Sequence, residues 1–163
     1  MPITFNADEV FALAEQIERN GAAFYRKCAE NIPDVKSFLL ELADMEDKHL
    51  ALFQSMHQSV TSREAESFAA DPDQQAAAYL KNMAGGYVFD IQKDPSATLT
   101  GSESLTDILR IAIGLEKDSI VFYLGMRDMV PRSAGKEKVE SIIREEMRHV
   151  TLLSNKLKEV TGD

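Results

Sequence analysis

Two copies of Glu-x-x-His lie 100 residues apart in this chain of 163, Glu46-Asp-Lys-His49 and Glu146-Met-Arg-His149. Each follows a second repeated segment, Glu18-Arg-Asn-Gly-Ala-Ala-Phe-Tyr25 and Glu116-Lys-Asp-Ser-Ile-Val-Phe-Tyr123, offset by 98. Residues three apart on a helix share a face about one turn along, so the Glu and His of each motif can grip one ion. The internal spacing matches as well: 28 residues separate Glu18 from Glu46, and 30 separate Glu116 from Glu146. Glu18, Glu46, His49, Glu116, Glu146 and His149 thus supply four carboxylates and two imidazoles, a ligand set for two metal ions.

A lone Glu-x-x-His would mean little in a chain with 15 glutamates, because short motifs recur by chance and then sit on a solvated face. The neighbours of these motifs argue otherwise. Glu18 shares its helical face with Phe11, Ala14, Ala22 and Tyr25, and Glu116 with Leu109, Ala112, Ile120 and Tyr123. Glu46 lies among Leu39, Leu42 and Phe53, and Glu146 among Val139, Ile142 and Leu153. Each carboxylate therefore interrupts a stripe that should form the core. An unpaired buried carboxylate costs several kcal/mol, so four meeting in one core must be protonated or neutralised. Two divalent cations balance four such charges with both histidines neutral. Oxygen-rich ligation with one imidazole per ion suits iron or manganese better than copper.

Four long helices are needed to carry these residues. The first is expected over Ala7 to Glu30, with Asn6 as N-cap, Glu9 three residues on, and Pro33 ending it. The second runs from Asp34 to His57, where Phe38, Leu42, Met45, His49, Leu52 and Met56 keep a 3.6-residue period. The third spans Ser104 to Met129, and the fourth Ala134 to Val160 after a cap at Ser133. Short connections make each pair an antiparallel hairpin. Between the hairpins, residues 60 to 102 break the pattern, beginning with a polar run from Val60 to Glu66. A short helix is expected there from Asp71-Pro72 to about Met83, before Gly85-Gly86. The expected fold is all-α: a four-helix bundle of two hairpins whose long crossover can run the bundle's length and leave the second and third helices parallel.

Length suits one domain over 1–163 with a substantial core. The net charge of −9 argues against a nucleic-acid partner, since phosphate binding needs a basic face. No run of 18 uncharged apolar residues exists, so no membrane partner is expected. The start of the chain lacks the basic and apolar segments of a secretory signal, which makes a cytoplasmic protein the expectation. One cysteine, Cys28, cannot form an intramolecular disulfide and is read as a small core residue. His57, eight residues past His49 and turned about 80° from the ligand face, is read as a helix-end surface residue.

From about Asp8 to Leu157 the chain resembles the ferritin-like superfamily, and within it the rubrerythrins. Glu18 with Phe24-Tyr25, Glu46 with His49, Glu116 with Phe122-Tyr123, and Glu146 with His149 carry the resemblance. It implies a bundle core holding two iron ions, bridged by Glu46 and Glu146, with Glu18 and Glu116 terminal and one histidine on each ion. Tyr25 and Tyr123, two turns beyond their glutamates, are read either as hydrogen-bond partners of the ligands or as amphipathic core tyrosines. Rubrerythrins also carry a rubredoxin-like domain with two Cys-x-x-Cys pairs, which one cysteine cannot supply, so electrons would come from an external donor. They tend, too, to carry a further Glu one turn after the third-helix ligand, where this chain has Ser119. The resemblance implies an oxidoreductase of peroxidase or ferroxidase type reacting with peroxide or dioxygen. Iron storage and a non-catalytic metal-binding module are the alternatives, and a homodimer is expected from the exposed bundle faces.

Overall fold

The computed structural model describes residues 6–68, 75–84 and 90–163, and among these every regular element is helical. Four long helices form the frame: α1 Ala7–Asn31, α2 Lys36–Ser59, α5 Leu105–Met129 and α6 Lys136–Thr161. Two short ones, α3 Ser62–Phe68 and α4 Gln75–Ala84, belong to the crossover.

Local chemistry sets most of these boundaries. At the start of α1 the Asn6 side chain accepts from the Glu9 amide while the Glu9 carboxylate accepts from the Asn6 amide, satisfying two otherwise orphaned donors. Ser104 and Asp107 repeat this arrangement at α5. Pro33 stops α1 and opens a 3-10 turn, Pro33–Val35, so α2 begins at Lys36 rather than at Asp34. The expected cap at Ser133 does not form. Ser133 lies inside another 3-10 turn, Arg132–Ala134, and the chain enters α6 through Gly135 at φ 107°, with no side-chain cap. That left-handed conformation is cheap only for glycine, and a Cβ there would also lie 3.0 Å from Met56 Cε.

The apolar stripes sort into two core clusters, one toward each end of the bundle. The first joins the N-terminal half of α1 (Val10, Phe11, Ala14), the C-terminal half of α2 (Phe53, Met56), the C-terminal half of α5 (Phe122, Met126) and the start of α6 (Val139, Ile142). The second joins the opposite halves through Phe24, Cys28, Leu39, Leu42, Leu109, Ala112 and Leu153. Each hairpin is therefore antiparallel, while α2 and α5 end in the same cluster and run parallel. A parallel pair forces the connection between them to travel the length of the bundle, about 36 Å for a helix of 24 residues. It does so: Phe68, Ala77, Leu80, Met83 and Ile91 pack into the first cluster, and Leu99 reaches the second.

The sequence-based expectation for the crossover holds in part. Its short helix is α4, and the proposed start at Asp71-Pro72 lies outside the described residues. The polar stretch after Val60 is more ordered than expected, because the Glu64 carboxylate accepts from the Thr61 amide and hydroxyl and starts α3 there. Among the described residues no helix is long and apolar enough to cross a membrane.

Candidate metal centre

Between the two apolar clusters lies a polar layer to which each long helix contributes. Glu18 comes from α1, Glu46 and His49 from α2, Glu116 from α5, and Glu146 and His149 from α6. All six expected residues are buried, Glu18 and Glu146 at 0% exposure and none above 3%. They fall into two sets, Glu18, Glu46, His49 and Glu146, and Glu46, Glu116, Glu146 and His149. Within each set one donor atom per residue lies within 4.8 Å of all the others. Glu46 and Glu146 belong to both. Each set adds one histidine and one glutamate of its own, reproducing in space the duplication of the sequence.

The histidines face the carboxylates through the same ring atom. His49 Nδ1 is 3.1 Å from Glu146 Oε1 and 3.5 Å from Glu18 Oε2. His149 Nδ1 is 2.8 Å from Glu146 Oε2, 3.2 Å from Glu46 Oε1 and 3.4 Å from Glu116 Oε1. The rings stack with centroids 5.7 Å apart. Proximity is not matched by hydrogen bonding: Glu18 Oε2, Glu46 Oε1, Glu146 Oε2 and His149 Nδ1 are buried without a hydrogen-bond partner. Buried polar atoms almost always find partners, so four orphans converging on one spot mark a site shaped for something other than one another. Their chemistry, hard carboxylate oxygens with one imidazole nitrogen per set, fits iron or manganese.

The electrostatics say the same. Burial, followed by repulsion from Glu46 and Glu146, pushes the Glu18 and Glu116 carboxyls well above the usual carboxylate range. Burial and then Glu146 raise Glu46. Burial would raise Glu146 too, but His149 and His49 outweigh it and hold Glu146 low. Both imidazoles are pushed up, His49 to about 11 and His149 to about 12, because surrounding carboxylates overcome the burial that opposes their charge. The cluster thus favours bound positive charge, which is what a metal ion would supply.

Both tyrosines prove to be partners of the cluster, in a crossed pattern that the sequence does not reveal. Tyr25 of α1 donates to Glu116 of α5, and Tyr123 of α5 donates to Glu18 of α1. Both phenols are held protonated, first by burial and then by the adjacent carboxylates, so they stay donors. Gly21, one turn past Glu18, lets α2 approach: a Cβ there would lie 2.8 Å from Glu46 Oε2. Its repeat counterpart Ser119 donates to the Leu115 carbonyl. With Gly21, Ile17, Ile91 and Leu115 it lines a cavity of about 290 Å³ between α1, α5 and the crossover.

Two contacts were not anticipated. His49 Nε2 meets Glu145 Oε2 at 2.8 Å, and His149 Nε2 meets Met45 Sδ at 3.1 Å. The signal for both was in the repeat, since each directly precedes the glutamate of a Glu-x-x-His. His57 stays away from the cluster as expected, but it is no free surface residue. Its ring stacks on Phe11 at 5.2 Å and bridges Glu15 and Asp8, each at 3.0 Å. Cys28 is a free, fully buried core thiol, pushed up to about 12 mainly by burial.

This architecture recurs in known proteins. The chain is similar over 96% of its length to a solved structure from Thermotoga maritima, provisionally named a ferritin-like diiron-carboxylate protein; the match covers 97% of that chain, with 29% identity and a TM-score of 0.76. No curated protein matches. The rubrerythrin family model matches residues 9–157, a span that contains all six clustered residues and both tyrosines. With four glutamates and two histidines gathered at the centre of that span, the chain belongs to the rubrerythrin family of ferritin-like diiron-carboxylate proteins.

Proposed function

We propose that the six buried side chains hold two iron ions and that the protein is an oxidoreductase reacting with peroxide or dioxygen. In this reading Glu46 and Glu146 would be shared by the two ions, Glu18 and Glu116 would each serve one, and His49 and His149 would hold one ion each through Nδ1. One observation carries it: the two donor sets share Glu46 and Glu146 and otherwise have one glutamate and one histidine apiece. A redox-active ion pair held by these residues would supply electrons to a peroxide or dioxygen substrate.

The chain's own residues prepare that chemistry. Four carboxylates offset the positive charge of two cations, so the loaded site is near neutral and can remain buried. Tyr25 and Tyr123 fix Glu116 and Glu18 by donating to Oε1 of each; in Glu18 this leaves Oε2 facing His49, while in Glu116 the same Oε1 also faces His149. The apolar layers above and below exclude bulk water. Electrons come from an external donor, since the single cysteine offers no thiolate cluster.

The test is reoxidation of the ferrous-loaded protein by peroxide, compared with free ferrous ion at equal pH. The proposal expects faster reoxidation on the protein and loss of that advantage in Glu46→Ala/Glu146→Ala. Equal rates would refute the catalytic reading, and two ions per chain retained by the double variant would refute the ligand assignment.

A further inference from the structure

The duplicated scaffold makes two positions directly comparable. Met45 and Glu145 each precede a Glu-x-x-His glutamate, and each reaches the outward ring nitrogen of the histidine on the other hairpin. The distances are alike, 2.8 Å to Glu145 Oε2 and 3.1 Å to Met45 Sδ. The acceptors are not. A carboxylate takes a charge-assisted hydrogen bond, roughly twice as strong as a neutral one, whereas a thioether is a weak acceptor. Once Nδ1 gives its lone pair to a metal ion the ring proton is left on Nε2, and a strong acceptor there raises the electron density that Nδ1 can donate.

We propose that the two metal positions are inequivalent, the one at His49 binding a divalent cation more tightly than the one at His149, because Glu145 backs the first imidazole and Met45 the second. This rests on the two-ion reading above. Glu145 is a positioning residue: it acts through His49. The glutamates pair off as Glu18 with Glu116 and Glu46 with Glu146, and the tyrosines as Tyr25 with Tyr123; Gly21 and Ser119 also differ, Gly21 facing Glu46 and Ser119 bonded to the Leu115 carbonyl. Loading is then ordered, with the His49 position filling first.

The experiment is calorimetric titration of the metal-free full-length chain with Co²⁺, followed in parallel by visible absorption. The parent protein is expected to bind in two unequal steps with distinct spectra. Glu145→Met, which leaves a thioether behind both histidines, is expected to weaken the tighter step about 10–100-fold, the usual effect of losing such a partner, and to merge the two. Met45→Glu is expected to strengthen the weaker step alone. Glu145 is 42% exposed at its side chain, so its replacement leaves the fold in place, and metal-free unfolding of each variant is measured alongside. Two equal steps in the parent, or a Glu145→Met variant that leaves both steps unmoved or lowers them equally, would overturn the inference while leaving the two-ion reading intact. A parent protein that takes up no Co²⁺ would overturn both.

Discussion

Replacing Gly21 by alanine should make the metal-free protein more stable and its metal binding weaker, two effects of opposite sign from one methyl group. Gly21 lies in the interior of α1, where glycine costs about 1 kcal/mol relative to alanine. The added Cβ would lie 2.8 Å from Glu46 Oε2, 3.3 Å from its Cδ and 3.4 Å from its Cγ. Normal contact begins near 3.4 Å, so the carboxylate oxygen must retreat by about 0.6 Å. In the metal-free protein that retreat is easy, because the end of a flexible side chain moves, and the helix gain dominates. Stability should rise by up to about 1 kcal/mol, or about 2–4 °C in Tm for a chain of this size. In the loaded protein Glu46 is fixed, and ligand distances tolerate only about 0.2 Å of error. A displacement three times that size removes the bridge, and affinity should fall at least about tenfold, or 1.4 kcal/mol. The assay is thermal unfolding of chelator-stripped protein alongside Co²⁺ titration. A Gly21→Ala protein that binds two ions as tightly as the parent would refute the placement of Glu46 as a shared ligand.

Other outcomes follow from the same geometry. Tyr123→Phe leaves a buried Glu18 oxygen without its donor, and Tyr25→Phe does the same to Glu116; each should lower metal-free stability by about 1–3 kcal/mol in denaturant unfolding and weaken metal uptake, with similar effects on the two sides. If either leaves both quantities unchanged, the crossed hydrogen bonds are not formed in solution. Stripping the metal should lower Tm, since a ligand at 100 times its Kd adds about 2.7 kcal/mol; coincident unfolding curves with and without ferrous ion under anaerobic conditions would contradict this. Burial of the His57 ring works against its charge, but Asp8 and Glu15 outweigh it and raise its pKa above 6.5. A raised folded-state value means the His57 contribution is complete below about pH 6.5 and disappears as pH climbs through the folded pKa. His57→Gln should therefore cost more stability at pH 6 than at pH 9, and an NMR titration placing His57 at or below 6.5 would remove the basis for it.

The repeat in the sequence carried the site because its chemistry is local. Three-residue spacing on a helix fixes Glu46 beside His49 and Glu146 beside His149, and a carboxylate in an apolar stripe can point only inward. Capping at Asn6 and Ser104 was legible for the same reason: donor and acceptor lie within three residues. What escaped was geometry between helices. The crossed bonds from Tyr25 to Glu116 and from Tyr123 to Glu18 depend on the rotation of α1 against α5, which no periodicity encodes. Glu145 and Met45 meet histidines about 100 residues away, so their role shows only once the hairpins are docked. His57 looked solvent-facing by helical angle, yet the antiparallel partner brings Asp8, Phe11 and Glu15 around it. Ser133 is an apt N-cap by type, but the turn after Pro131 passes through a left-handed residue that only Gly135 supplies at low cost.

The central claim, that these six residues hold a pair of metal ions, is tested most directly by anomalous X-ray scattering at the iron edge from crystals of ferrous-loaded protein. Two peaks about 3.5–4 Å apart, lying between Glu46 and Glu146 with one beside His49 and one beside His149, are the expected result. A single peak, or iron found only at surface carboxylates with the buried cluster closed on its own protons, would contradict it.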